Sequence, residues 1–152
     1  MKSILFITCF SLLFQACKDS TKANSKSSII KLDYAYSLRV QSVSYSLKFS
    51  TGDTVYIQDH LPSGSDTSYY ALLHKQDKLR IDSLINNMNL SALDSSYDSH
   101  DDDGEEFNLT ISKNDTLKII YIHSEKIPRE IKNLTDWVMK LRKTLVGISY
   151  GK

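Results

Sequence analysis

Two thirteen-residue runs constrain this chain more than anything else in it. YSLKFSTGDTVYI (Tyr45 to Ile57) and FNLTISKNDTLKI (Phe107 to Ile119) align without gaps at a constant offset of 62. Leu, Ser, Asp, Thr and Ile are identical at five of the thirteen positions, and Tyr/Phe, Phe/Ile and Val/Leu are similar. In each run apolar residues alternate with polar ones, break at a Gly/Asn-Asp turn and resume, the pattern of a β-hairpin. At the first turn, Ser50-Thr51-Gly52-Asp53, Gly52 is able to take positive φ. One reading is a duplicated hairpin-plus-helix unit. The other is convergence, because such turns recur between apolar strands for physical reasons, and the helices do not keep the offset.

The remaining elements fall around these runs. Tyr34, Tyr36, Leu38 and Val40 alternate, out of phase with Val43, Tyr45, Leu47 and Phe49, which implies a bend, bulge or turn near Gln41-Ser42. After a loop from His60 to Ser68, Tyr69 to Leu73 reads as a short strand. Asp77 offers a helix N-cap, followed by Ile81, Leu84, Ile85 and Met88 at helical spacing. A polar, acidic loop then runs to Glu106, and Leu117 to Ile122 returns after the Lys113-Asn114-Asp115 turn. Pro128 suits the first turn of a last helix, with Ile131, Leu134, Val138, Leu141 and Leu145 as its stripe, Trp137 on the shoulder and Gly147 as its stop. The expected class is α+β: an antiparallel sheet from two β-hairpins, each followed by a helix packed on one face, in a single domain over 29–152.

Composition fits that size and excludes several classes. The 152 residues are 41% hydrophobic and 24% charged, neither a disordered mixture nor a membrane bundle. A formal charge of +1 provides no global field to draw in nucleic acid. Two cysteines exclude a disulfide scaffold and any multi-cysteine zinc site.

The N-terminus gives a destination. Met1-Lys2 is a short basic start, and Ile4 to Ala16 is an uncharged apolar stretch of 13 residues. A membrane-spanning helix needs roughly 20, so the stretch reads as the core of a signal peptide over 1–16. It ends in Phe14-Gln15-Ala16-Cys17, which resembles the bacterial lipobox, although Gln15 is bulkier than the usual occupant and Phe14 stands where Leu is commonest. The chain is thereby similar to small Gram-negative lipoproteins with one α+β domain. That resemblance implies cleavage after Ala16, a diacylglycerol and acyl lipid carried by Cys17, and anchoring in the cell envelope. Lys18-Asp19 resembles the acidic export signals that send lipoproteins to the outer membrane. Without the lipobox, the same residues read as an ordinary secretory signal with Cys17 a free thiol. Residues 17–28 hold no large apolar side chain and read as a flexible tether. Removing 1–16 takes Lys2 alone among the charged groups, leaving 18 basic and 18 acidic side chains, so anchoring rests on the lipid.

The search for chemistry finds one dense cluster. Asp94 to Glu106 holds seven carboxylates and His100 in thirteen residues. Asp98, His100, Asp101, Asp102, Asp103 and Glu105 are its candidate binding residues. An EF-hand register with Gly104 sixth puts Ser99 first and Thr110 twelfth, so the bidentate Glu is missing; a looser Ca2+ site stays open. The other reading is a solvated, self-repelling loop. The four histidines, His60, His74, His100 and His123, show no metal-ligand spacing, and no phosphate loop or nucleophile elbow occurs. Asp53-Thr54-Val55, Asp115-Thr116-Leu117 and Asp82-Ser83-Leu84 resemble a bacterial O-glycosylation motif, a three-residue pattern that arises often by chance. Nine tyrosines, seven near strands, could line a face for an envelope protein or glycan, or serve ordinary strand packing. Lys126 to Lys152 carries seven basic and two acidic groups, giving the last helix a cationic outer face. The expectation is a lipid-anchored, non-enzymatic binding or structural module with no cofactor beyond its lipid. The alternative is an immunity- or inhibitor-type lipoprotein whose acidic loop enters a basic cleft.

Overall fold

Strand β1 (Ile30–Leu38) shows how the sheet is organised, because its alternate residues Ile30, Leu32, Tyr34 and Tyr36 are buried and their neighbours are not. The computed structural model describes residues 30–38, 43–50, 52–60, 64, 66–99, 104–145 and 148–149. In it β1 is flanked by β2 (Val43–Phe49) on one side and β6 (Glu105–Lys113) on the other. Leu47 and Leu109 both stand opposite Tyr34, and Phe49 and Ile111 both stand opposite Leu32, so the inward faces coincide. Outside these lie β3 (Thr54–His60), β4 (Thr67–Leu72), β5 (Ser96–Asp98), β7 (Thr116–His123) and the short β8 (Ile148–Ser149), in the order β5-β7-β6-β1-β2-β3-β4-β8.

The chain is α+β, with a mixed sheet rather than the antiparallel one expected: β5 runs parallel to β7. That strand comes from the segment expected to be acidic loop. Leu90 and Leu93 beside the 3-10 turn Leu90–Ala92 are buried, and Tyr97 packs against the core. These three apolar anchors are enough to pin the segment along the sheet edge despite its charge. At its far end Glu105 and Glu106 belong to β6. The loop expected over His60 to Ser68 is likewise shorter, since β3 runs to His60 and β4 starts at Thr67.

Helix α1 (Lys75–Asn86) starts earlier than expected. His74 occupies the N-cap, and its carbonyl accepts the Asp77 and Lys78 N–H groups at 2.9 and 3.1 Å. Asp77 is instead a first-turn carboxylate at the positive end of the helix dipole. At the other end Lys113 Nζ donates to the Asn86 and Met88 carbonyls at 2.9 and 3.3 Å, tying β6 to the helix C-terminus. Helix α2 (Arg129–Thr144) begins directly after Pro128, with Glu130 in its first turn and Arg142 and Lys143 in its last. Ile81 and Ile85 of α1 share one core with Ile131, Leu134, Val138 and Leu141 of α2 and the inward face of the sheet, while Leu117 and Ile119 stay exposed on the opposite face.

Among the described residues no helix is long and apolar enough to cross a membrane. The signal peptide, Ala16, Cys17, the tether, the bend at Gln41-Ser42, His100 to Asp103 and Gly147 all lie outside the described residues.

A candidate binding cleft at the acidic end of the sheet

Four elements end together at one edge of the fold, and a cleft of about 790 Å³ opens between them. Leu38 closes it from β1, Ser99 from just beyond β5, and Gly104, Glu105 and Phe107 from the start of β6. His123, Ser124, Glu125 and Ile127 follow from the end of β7, and Lys132, Thr135, Asp136 and Met139 form the α2 wall. Strand alternation explains part of this lining. Phe107 points into the core and gives the cleft an apolar floor, whereas Glu105, where the strand starts, is exposed.

The charged groups of the lining are mostly anionic, Glu105, Glu125 and Asp136 against Lys132. Lys132 pairs with Asp136 at 3.7 Å one helical turn away, but both are exposed and the pair contributes little. Glu105 Oε1 accepts the Tyr36 hydroxyl at 3.0 Å. Burial, then that carboxylate, push the Tyr36 hydroxyl up to about 12, so it remains a donor to Glu105 at any physiological pH.

His123 is the residue with the most unusual setting. It is about nine-tenths buried, and its carbonyl accepts the Ser99 N–H at 2.9 Å and Oγ–H at 3.1 Å. Asp98 Oδ1 lies 3.5 Å from its Nδ1. Its Nε2 is buried with no hydrogen-bond partner among the described residues. In the neutral ring with its proton on Nδ1, toward that carboxylate, Nε2 is a lone-pair acceptor. A buried polar atom without a partner costs about 1–3 kcal/mol. The Ser99 hydroxyl is turned to the His123 carbonyl rather than to the ring.

A second polar cluster lies beneath α2. Arg142 Nη2 contacts both carboxylate oxygens of Asp59 at 2.8 Å, and its guanidinium lies over the Tyr45 and Tyr69 rings at 5.6 and 5.5 Å. The Tyr69 hydroxyl donates to Asp59 at 3.0 Å. Burial alone would favour neutral Arg142, but the hydrogen bond and charge of Asp59 outweigh it and keep the guanidinium charged. Arg142 is therefore not part of the cationic outer face expected of the last helix. Its one sequence signal is position: four residues after Val138, it stands within the apolar stripe. Tyr45 connects this cluster to the cleft, since Tyr45–Tyr36 and Tyr36–Phe107 centroids lie 4.9 and 5.4 Å apart.

The tyrosines do not form one surface. Tyr34, Tyr36, Tyr45 and Tyr69 face the helices, whereas Tyr56, Tyr70 and Tyr121 stand on the opposite side of the sheet. Of the candidate binding residues, the structure brings Asp98 and Glu105 to the same end of the sheet, one beside His123 and one in the cleft wall. His60 pairs with Asp66 at 3.0 Å and His74 caps α1, so neither joins them. Among the described residues no three of His, Cys, Asp and Glu are grouped to hold a metal ion. His123 is the site residue that sequence reasoning passed over; its isolation in the sequence hid the parallel strand that pairs it with Asp98.

No family model matches the chain, and no curated protein shows significant similarity to it.

Proposed function

We propose that this is a lipid-anchored envelope protein with a non-enzymatic binding domain, whose cleft receives a cationic group of a partner protein. The observation that carries the reading is the excess of carboxylates in the cleft lining, Glu105, Glu125 and Asp136 against Lys132 alone. An ammonium or guanidinium group is drawn by these carboxylates and can donate to them. The lipobox and tether supply the anchor in this reading, with Cys17 carrying the lipid. The outer membrane is the proposed destination.

Calorimetry of the mature chain with an oligo-arginine peptide tests it, using an oligo-glutamate peptide as control. Saturable binding of the cationic peptide that is weakened about tenfold or more by Glu105→Gln with Glu125→Gln supports the reading. Binding that is absent, or indifferent to both substitutions, overturns it. The anchor is tested separately by intact mass: the membrane-extracted protein should weigh residues 17–152 plus acyl glyceryl, and Cys17→Ser should lose that mass.

Asp98 beside His123 and Glu105 in the cleft wall, which stand on either side of Asp101, Asp102 and Asp103 in the acidic segment, favour a second, more specific reading, an immunity- or inhibitor-type lipoprotein. Neutralising those three residues should then abolish protection against the partner enzyme. Unchanged protection removes this version.

A further inference from the structure

The face of the sheet turned away from the helices has an unusual order. Of the six large apolar side chains most exposed among the described residues, four stand on it: Leu117, Ile119, Tyr56 and Leu72. Strand pairing sets its residues in level rows. One row reads Leu117–Ser112–Lys31 across β7, β6 and β1 and resumes at Thr54–Leu72 on β3 and β4. The next reads Ile119–Thr110–Asp33–Lys48–Tyr56–Tyr70, and a third Tyr121–Asn108–Ala35–Ser46–Gln58–Ser68. Apolar groups thus flank the face on both sides, and in these rows the middle three strands carry short side chains around Asp33, Lys31 and Lys48.

That order is self-complementary. Consider a twofold axis parallel to the strands and midway between β1 and β2. It lays β1 of one copy over β2 of the other, β6 over β3 and β7 over β4, with the rows level. Leu117 then meets Leu72 of the second copy, Ile119 meets Tyr70, and Asp33 meets Lys48, each contact made twice. Strands about 4.8 Å apart give a patch roughly 25 Å wide and 20 Å tall, or about 1,000 Å² in total for two copies, at the lower bound of specific interfaces. Twisted sheets pack face to face with their strand directions within about 30° of each other, which this near-aligned stacking satisfies. We infer that the open face of the sheet is a dimer interface between two copies of this chain, joined by isologous β-sandwich packing.

The test uses sedimentation of the mature chain, residues 17–152 with Cys17→Ser, over a wide concentration range. Wild type should pass from one to two chain masses. Ile119→Lys should weaken association about tenfold or more with its melting temperature unchanged, because the side chain is 59% exposed in the single chain. Asp33→Lys and Lys48→Asp should each be monomeric alone, since each places like charges opposite one another. Mixed together they should form a heterodimer. The introduced lysine of one variant then faces the introduced aspartate of the other, and at the second contact the native Lys48 of the first faces the native Asp33 of the second. Wild type that stays monomeric throughout overturns the proposal. So does a dimer that Ile119→Lys leaves intact, or a mixture of the charge variants that stays monomeric; the face would then belong to a different protein.

Discussion

The hairpins β2–β3 and β6–β7 carry similar thirteen-residue runs, identical at five positions, and use them differently. Their first strands agree, Leu47 and Phe49 being buried like Leu109 and Ile111. Their return strands do not. Val55 and Ile57 are buried, whereas the aligned Leu117 and Ile119 are 61% and 59% exposed. The cause is a slip of one residue: Phe49 pairs with Val55, but Ile111 pairs with Lys118 rather than Leu117. A one-residue shift moves every side chain of a strand to the other face. The turns set it. Asn114 stands at φ +54° in a two-residue connection between the paired Lys113 and Thr116, while Gly52 lies in a longer one and, contrary to expectation, does not use positive φ. Ile120 and Ile122 take the core places instead, and the ungapped correspondence that suggested duplication fails at the return strand.

The bases of the two hairpins differ as well. Where β6–β7 opposes Phe107 to Ile122, β2–β3 opposes Tyr45 to Asp59 and locks both with Arg142. One end is sealed by apolar burial and the other by charge and aromatic rings. Four ways of separating the hairpins follow from this.

The largest effect is expected from alkaline pH, which attacks the tyrosines beneath α2. Burial first, aided by nearby carboxylates and opposed at Tyr45 and Tyr69 by Arg142, raises Tyr34, Tyr36, Tyr45 and Tyr69 above their usual range, Tyr36 to about 12. A raised folded pKa means that the stabilisation is whole below the unfolded value near 10 and is lost as pH rises through the folded value. Tyrosinate absorbance should therefore show these four ionising later than the exposed tyrosines, together with unfolding, as pH rises above about 10; simple titration of every tyrosine near 10 would contradict the burial.

Next in size, Ile57→Ala should cost about 2–4 kcal/mol and the aligned Ile119→Ala no more than about 0.5, measured by urea unfolding of dilute protein. Equal costs would mean that the return strands share a register. Arg142→Ala should cost about 1–2 kcal/mol, because it strands a carboxylate only a quarter exposed, and Arg142→Lys should not fully restore the loss. Smallest are the turns. Asn114→Ala should cost about 1 kcal/mol for its left-handed backbone. Gly52→Ala should be neutral or slightly stabilising, since an added Cβ meets nothing closer than 3.7 Å.

Much of the architecture was legible because alternation and helical spacing are local. The stripes around Ile81 and Ile131 and the strands at Leu47 and Leu109 announce their inward faces directly. Register is not local: nothing in Asp-Thr-Leu tells that Leu117 faces outward while Val55 of Asp-Thr-Val is buried. Strand β5 was hidden because its acidic and polar residues surround its one large apolar side chain, Tyr97. The candidate site was half visible for the same reason. Glu105 belongs to a charge cluster that composition reveals, whereas His123 acquires its partner Asp98 only through a parallel pairing, and Arg142 meets Asp59 across 83 residues of chain.

The most direct measurement is an NMR titration of the mature chain with the oligo-arginine peptide, following the His123 ring nitrogens and the backbone of Glu105, Glu125, Leu117 and Ile119. The account predicts that Glu105 and Glu125 shift most, that the His123 ring lining the cleft moves with them, and that Leu117 and Ile119 stay in place. A titration that leaves His123 unmoved, or that spreads equally over the open face, would contradict the cleft as the binding site.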